Sequence, residues 1–118
     1  MRHGNHKFKL SVHPQHRKSM MRNLAISLIT HGPIRTTETK ARAIKPFVEK
    51  LVTMAKNDTL ANRRLAFTKL NNRDAVNLLF VEVAPKFKQR PGGYTRLMKL
   101  SEGRVGDGAK EAVIAFVD

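Results

Sequence analysis

In 118 residues the chain carries 23 Lys or Arg against 9 Asp or Glu, a formal charge of +14, and an excess of that size seeks a polyanionic partner. With 41% hydrophobic residues it can close a core, so it is not a basic disordered tail throughout. No apolar run approaches the roughly 18 residues of a membrane span, the amino terminus lacks the apolar stretch of a secretory signal, and the absence of Cys excludes disulfides and thiolate metal sites; a soluble, intracellular, single-domain protein is the expectation.

The chain divides into a basic arm, residues 1–13, and a globular domain, residues 14–118. All five His and seven Lys or Arg precede the first acidic residue, Glu38. Phe8, Leu10 and Val12 alternate with polar residues, which permits a strand, but so little apolar surface favours an extended arm that orders on a partner. Residues 16–31 then place Met20, Met21, Leu24, Ala25, Leu28 and Ile29 on one helical arc, and Gly32-Pro33 stops the helix. Residues 34–37 read as a short strand, with Thr36 or Thr37 able to cap the second helix.

That second helix carries Ile44, Phe47, Val48, Leu51, Val52 and Ala55 at helical spacing, and Pro46 predicts a kink or restart inside it. Asn57-Asp58-Thr59 supplies turn and cap for a helix over residues 60–70 that turns Leu60, Ala61, Leu65 and Phe67 inward. Asn71 to Asp74 repeats the signal ahead of a helix with Val76, Leu79, Phe80 and Val83, ending before Pro85. A basic loop comes next. Residues 94–100 and 112–117 read as strands, the second apolar on both faces and therefore central. Their connector, with Gly103, Gly106 and Gly108, is a hairpin or loop.

Chemistry-bearing residues fall into three groups. His3, His6, His13 and His16 have spacing that invites zinc, but structural zinc sites usually include thiolates, and Arg2, Lys7, Arg17 and Lys18 repel a cation. Hydrogen bonding to phosphate and bases is the better reading. No paired carboxylates, phosphate-cradling Gly-Lys-Ser signature or nucleophile elbow accompanies these His residues, so an enzyme is not expected. Arg90-Pro91-Gly92-Gly93-Tyr94-Thr95-Arg96 is the most informative segment: two glycines let backbone amides approach an anion, and arginines on both sides can fork onto phosphate. Tyr94 either meets RNA or packs on the core. Arg63-Arg64 and the Arg17, Lys18, Arg22 cluster are individually weak signals, since most charged helix faces are solvated, but together with the charge of +14 they rise above that.

Read in order, Met1-Arg2-His3, His16-Arg17-Lys18, Arg22-Asn23-Leu24, Ser27-Leu28-Ile29, Ile34-Arg35-Thr36-Thr37, Lys40-Ala41-Arg42, Leu51-Val52-Thr53, Arg63-Arg64, the segment from Arg90 to Arg96 and Ile114-x-x-Val117 resemble the bacterial L-seventeen family of large-subunit ribosomal proteins over essentially the whole chain. The resemblance implies a two-layer α/β domain of α+β type, in the order helix, strand, three helices, two strands, with a small mixed sheet packed on helices behind an extended basic arm. It implies a structural constituent of the bacterial ribosome in the cytoplasm, with large-subunit rRNA and neighbouring large-subunit proteins as partners and no membrane, small-molecule substrate, cofactor or metal. The RNA-binding residues expected on this basis are Arg2, His3, Lys7, Lys9, His13, His16, Arg17, Lys18, Arg22, Asn23, Arg35, Thr36, Thr37, Lys40, Arg63, Arg64, Arg90, Gly92, Gly93, Tyr94 and Arg96. A basic DNA-binding or architectural protein is the alternative, although no helix-turn-helix or dimer logic is visible.

Overall fold

The computed structural model describes residues 13–117. Its first helix, α1 (Pro14–His31), starts two residues earlier than the apolar arc implies, because Pro14 takes the first helical position, where no amide is needed. His13 is its cap, with Nδ1 accepting from the Gln15 amide at 3.4 Å. At the other end the Gly32 amide donates to the Leu28 carbonyl at 3.0 Å and closes the helix. Strand β1 (Ile34–Thr37) passes without a loop into α2 (Glu38–Ala55), Thr37 standing at the cap position with no side-chain hydrogen bond to the helix.

Helix α2 neither stops nor restarts at Pro46. Pro46 lies on an exposed side of the helix, where the carbonyl deprived of its i+4 donor can be met by water. Next comes α3 (Leu60–Leu70), with the bounds its sequence predicts: Thr59 accepts from the Asn62 amide at 3.1 Å, and Asn71 ends the helix in the left-handed region at φ 54°. Asn72 then caps α4 (Arg73–Leu78), accepting from the Ala75 amide at 3.0 Å. The helical path does not end before Pro85. It widens into a π turn over Leu79–Val83 and tightens into a 3-10 turn over Ala84–Phe87, whose first turn accommodates Pro85 because an early helical position needs no proline N–H.

Strands β2 (Thr95–Gly103) and β3 (Lys110–Phe116) form a hairpin, and β1 pairs with the other edge of β3. The sheet order is β1-β3-β2 and both pairings are antiparallel, so the sheet is not mixed. The expectation of a mixed sheet fails because no parallel pair forms: both edge strands bond only to β3, which runs opposite to each. The central place expected for β3 holds.

The core lies between the helices and one face of this sheet. Ala41, Ile44, Val48, Leu51, Val52 and Ala55 of α2 are buried with Ala25, Leu28 and Ile29 of α1 and with Ala112 and Ile114 of β3. The α3 expectation is overturned here: Leu60, Leu65 and Phe67 are exposed at 66%, 53% and 39%, Ala61 is exposed too, and the buried side chains are Ala66 and Leu70. A small residue at 66 gives α3 close access to its neighbours, so packing overrides the larger apolar residues. Phe87 joins the core to the hairpin, its ring 5.3 Å from Tyr94 and 6.0 Å from Phe116.

Candidate nucleic-acid interface

Alternation along the strands sorts the sheet residues. In register, Arg35 lies opposite Val113 and Arg96 opposite Ala115, so both arginines occupy the face turned away from Ile114 and the helices. Thr37 shares that outer face, opposite Glu111, whereas Thr36 pairs with buried Ala112 and belongs to the inner one. Three expected contacts, Arg35, Thr37 and Arg96, thus come onto one open surface although 61 positions separate the two arginines in the chain. Arg35 is restrained there by the Glu111 carboxylate at 2.9 Å, yet its side chain remains 61% exposed. The Arg96 side chain is exposed and has no hydrogen bond or ion pair to a described residue.

A second cationic group stands at the start of α1. His13, His16 and Lys18 are exposed and Arg17 half-buried, there is no acidic residue in the first turn, and the first buried residue is Ala25. The amino end of α1 therefore reaches beyond the core carrying side-chain cations together with the helix's own positive pole. Asn23 is exposed farther along the helix. Arg22 turns to α3, where its Nε donates to the Lys69 carbonyl at 3.3 Å and satisfies a helix-end acceptor. Lys40, in the first turn of α2, is half-buried.

Arg63 and Arg64 look alike in sequence and differ in place. Arg63 forms a two-pronged contact with Asp58, at 2.7 and 2.9 Å, and its guanidinium lies 5.1 Å from the centroid of the Phe80 ring. The hydrogen bond holds the Asp58 carboxyl below its ordinary pKa and raises that of Arg63. Arg64 is exposed, and its side chain has no partner among the described residues.

The segment from Arg90 to Arg96 is built differently from its expected form. Tyr94 is 1% exposed, so its ring is not a platform for a base. Its hydroxyl lies 3.1 Å from Thr53 Oγ1 and accepts from Lys56 Nζ at 2.9 Å, and these bonds, that from Lys56 foremost, lower its pKa. Thr95 is buried as well, its amide and hydroxyl donating to Glu49 Oε2 at 3.2 and 3.0 Å. Arg90 folds back, with Nε donating to the Gly92 and Gly93 carbonyls at 3.1 Å each. Gly93 has φ 64°, a conformation glycine adopts without strain. Neither the Gly92 nor the Gly93 amide donates to a described residue.

Sequence alone does not single out Lys56, Thr53 and Glu49. Their i, i+3 or i+4 spacing places them on one side of α2, but a signal for their role exists only once Tyr94 and Thr95 are known to point inward. Arg2, His3, Lys7 and Lys9, with the arm to which they belong, lie outside the described residues. No group of three or more His, Asp or Glu that would hold a metal ion occurs among the described residues, and no helix of theirs is long and apolar enough to cross a membrane.

Four helices and a three-stranded antiparallel sheet, α2 lying along one face of the sheet with the other helices packed around it, and cations on the other face and at the amino end of α1, define a small basic protein of the α+β class. A family model described as ribosomal protein L17 matches residues 20–117 of it. The chain belongs to that family, a family of structural, large-subunit ribosomal proteins rather than enzymes.

Proposed function

We propose that this chain binds and stabilises folded rRNA of the large subunit, using the open face of its sheet, the amino end of α1, the Gly92-Gly93 turn and the basic residues that precede α1. Membership in a ribosomal protein family over residues 20–117 carries the reading. The physical part is supplied by the charge, +14 over the chain: fixed guanidinium and ammonium groups replace the mobile counterions of RNA phosphates, and the released ions supply the free energy. Recognition is of shape. The deep major groove of A-form RNA excludes side chains, and the one Tyr is buried in the core. Neighbouring proteins of the subunit complete its surroundings, in the cytoplasm of a bacterial cell.

Sedimentation of a cell lysate tests the assignment. The chain should travel with the large subunit and resist moderate salt washing, because several contacts act at once; finding it only among free proteins would refute the reading. With purified protein, affinity for rRNA fragments should exceed that for duplex DNA, and it should fall by roughly 10³ to 10⁵ between about 50 and 200 mM salt if about 6 to 10 phosphates are neutralised. Equal affinity for duplex DNA would favour the architectural reading.

A further inference from the structure

The open face of the sheet, proposed above to meet RNA, holds one residue of the opposite charge. Glu111 of β3 lies there opposite Thr37 of β1, and a carboxylate set against a phosphate backbone is repelled. Arg35 meets part of its charge, Nε and Nη2 both donating to Oε1 at 3.2 and 2.9 Å. The other oxygen, Oε2, has no hydrogen bond to a described residue. Neither has the Thr37 hydroxyl, which makes no bond to the helix it precedes. Among the described residues no side-chain oxygen or nitrogen is both buried and unpartnered. So Oε2 opens to solvent, although the Glu111 side chain is only 12% exposed, and so does Thr37 Oγ1. Directly opposed residues on one face of an antiparallel pair have Cβ atoms about 5 Å apart, which sets this hydroxyl and this carboxylate oxygen side by side.

The rest of the face indicates what such a pair meets. Its positions 35, 37, 96, 98, 111, 113 and 115 hold no aromatic residue, so the bases of a single strand find no ring to stack on. Val113 and Ala115, small and half-buried, line the central strand between Arg35 and Arg96. The two arginines stand on opposite edge strands, two strand spacings or about 10 Å apart across the face. The minor groove of an A-form helix is wide and shallow and displays 2′-hydroxyls beside the phosphates. A 2′-hydroxyl both donates and accepts, and it is the donor of the RNA backbone that a carboxylate can accept from.

We propose that the open face lies against the minor groove of an rRNA helix, where one 2′-hydroxyl donates to Glu111 Oε2 and accepts from Thr37 Oγ1 while Arg35 and Arg96 reach phosphates to either side. Arg35 keeps the carboxylate from acting as an uncompensated negative charge, and the carboxylate in turn holds the guanidinium in place. Preference for RNA over DNA then rests on Thr37 and Glu111 as well as on the shape of the helix. The proposal deepens the rRNA-binding reading above and rests on it.

The test binds the full chain to large-subunit rRNA transcripts that carry sparse, randomly placed 2′-deoxynucleotides, each marked by a phosphorothioate, and maps the substitutions depleted from the bound fraction. The parent chain should show depletion at a position within an RNA helix. Thr37→Val keeps the Arg35–Glu111 pair and removes no cap bond; it should erase that depletion and weaken binding of unsubstituted RNA about 3- to 10-fold, the worth of one hydrogen bond. Glu111→Ala should do the same although it removes a negative charge, whereas a carboxylate that merely tethered Arg35 would leave binding equal or tighter. Melting curves of both variants establish that they are folded, and Thr37→Val decides alone if Glu111→Ala is not. No depletion with the parent chain, depletion that persists in Thr37→Val, or tighter binding by folded Glu111→Ala would overturn the minor-groove contact and leave the rRNA-binding reading standing. Failure of the parent chain to bind the transcripts at all would overturn both.

Discussion

Lys56 donates to the Tyr94 hydroxyl at 2.9 Å and also to the Arg90 carbonyl, so one ammonium at the end of the long helix ties down the Gly92-Gly93 turn on both sides. The same ammonium lies 5.0 Å from the centroid of the Tyr94 ring. Loop and helix are thereby coupled through a side chain that the sequence offers equally to RNA or to the core.

Tyr94→Phe keeps the buried ring and removes the hydroxyl that accepts from Lys56 and meets Thr53. A loss of about 1 to 2 kcal/mol is expected, the range for a hydrogen bond to a partly exposed charged group. Urea unfolding measures it. RNA affinity at fixed salt should stay at the parent value, and a large drop without destabilisation would return Tyr94 to the RNA surface.

The two arginines that flank the turn should behave differently. Arg96→Ala removes an exposed side chain with no partner among the described residues, so stability should change by no more than about 0.5 kcal/mol, while the salt slope of RNA binding falls by up to about 1 for each phosphate left unneutralised. Arg90→Ala also releases the Gly92 and Gly93 carbonyls and should lower the melting temperature more than Arg96→Ala does. Salt titrations and thermal melts of both single variants separate the roles; an unchanged slope for Arg96→Ala would remove it from the interface.

The packing of α3 makes an opposed pair of expectations. Leu65→Gln changes a side chain already 53% exposed and should shift stability by no more than about 0.5 kcal/mol. Leu70→Ala empties a fully buried position and should cost about 2 to 5 kcal/mol. Chemical denaturation of the two variants checks the order, and a reversal would mean that α3 is rotated about its axis.

Asp107 titrates with a pKa lowered to about 2, because Arg104 and then the Ala109 amide donate to its charged form. A carboxyl whose folded pKa is depressed supports structure above the ordinary value of 3.8 and loses that support as pH falls from there through about 2. NMR titration of the Asp107 side chain should show its midpoint near the lower value. Arg104→Ala should move it back toward 3.8, and a parent midpoint already there would dissolve the ion pair at the hairpin tip.

The helix ends at Gly32, Thr59, Asn71 and Asn72 were legible along the chain, since these residues act on backbone groups a few residues away, whereas the end expected before Pro85 was not, because the helical path widens and tightens to carry Pro85 in its last stretch. The basic character and the central position of β3 were legible for similar reasons, one being a count and the other a local run of apolar residues. Which side of α3 turns inward was not: Leu60, Leu65 and Phe67 carry the stronger hydrophobic signal, but Ala66 is what close helix packing admits. Nor could sequence separate Arg63 from Arg64, because the difference lies in Asp58 and in a Phe80 ring brought alongside by folding. Arg35 and Arg96 share a surface only because β3 runs between their strands, and Tyr94 is withdrawn from that surface by the Phe87 ring beside it and by Lys56 and Thr53, which meet its hydroxyl. Local hydrogen bonding and sterics are written in neighbouring residues, whereas the direction in which a side chain faces is set by partners that tertiary contact alone supplies.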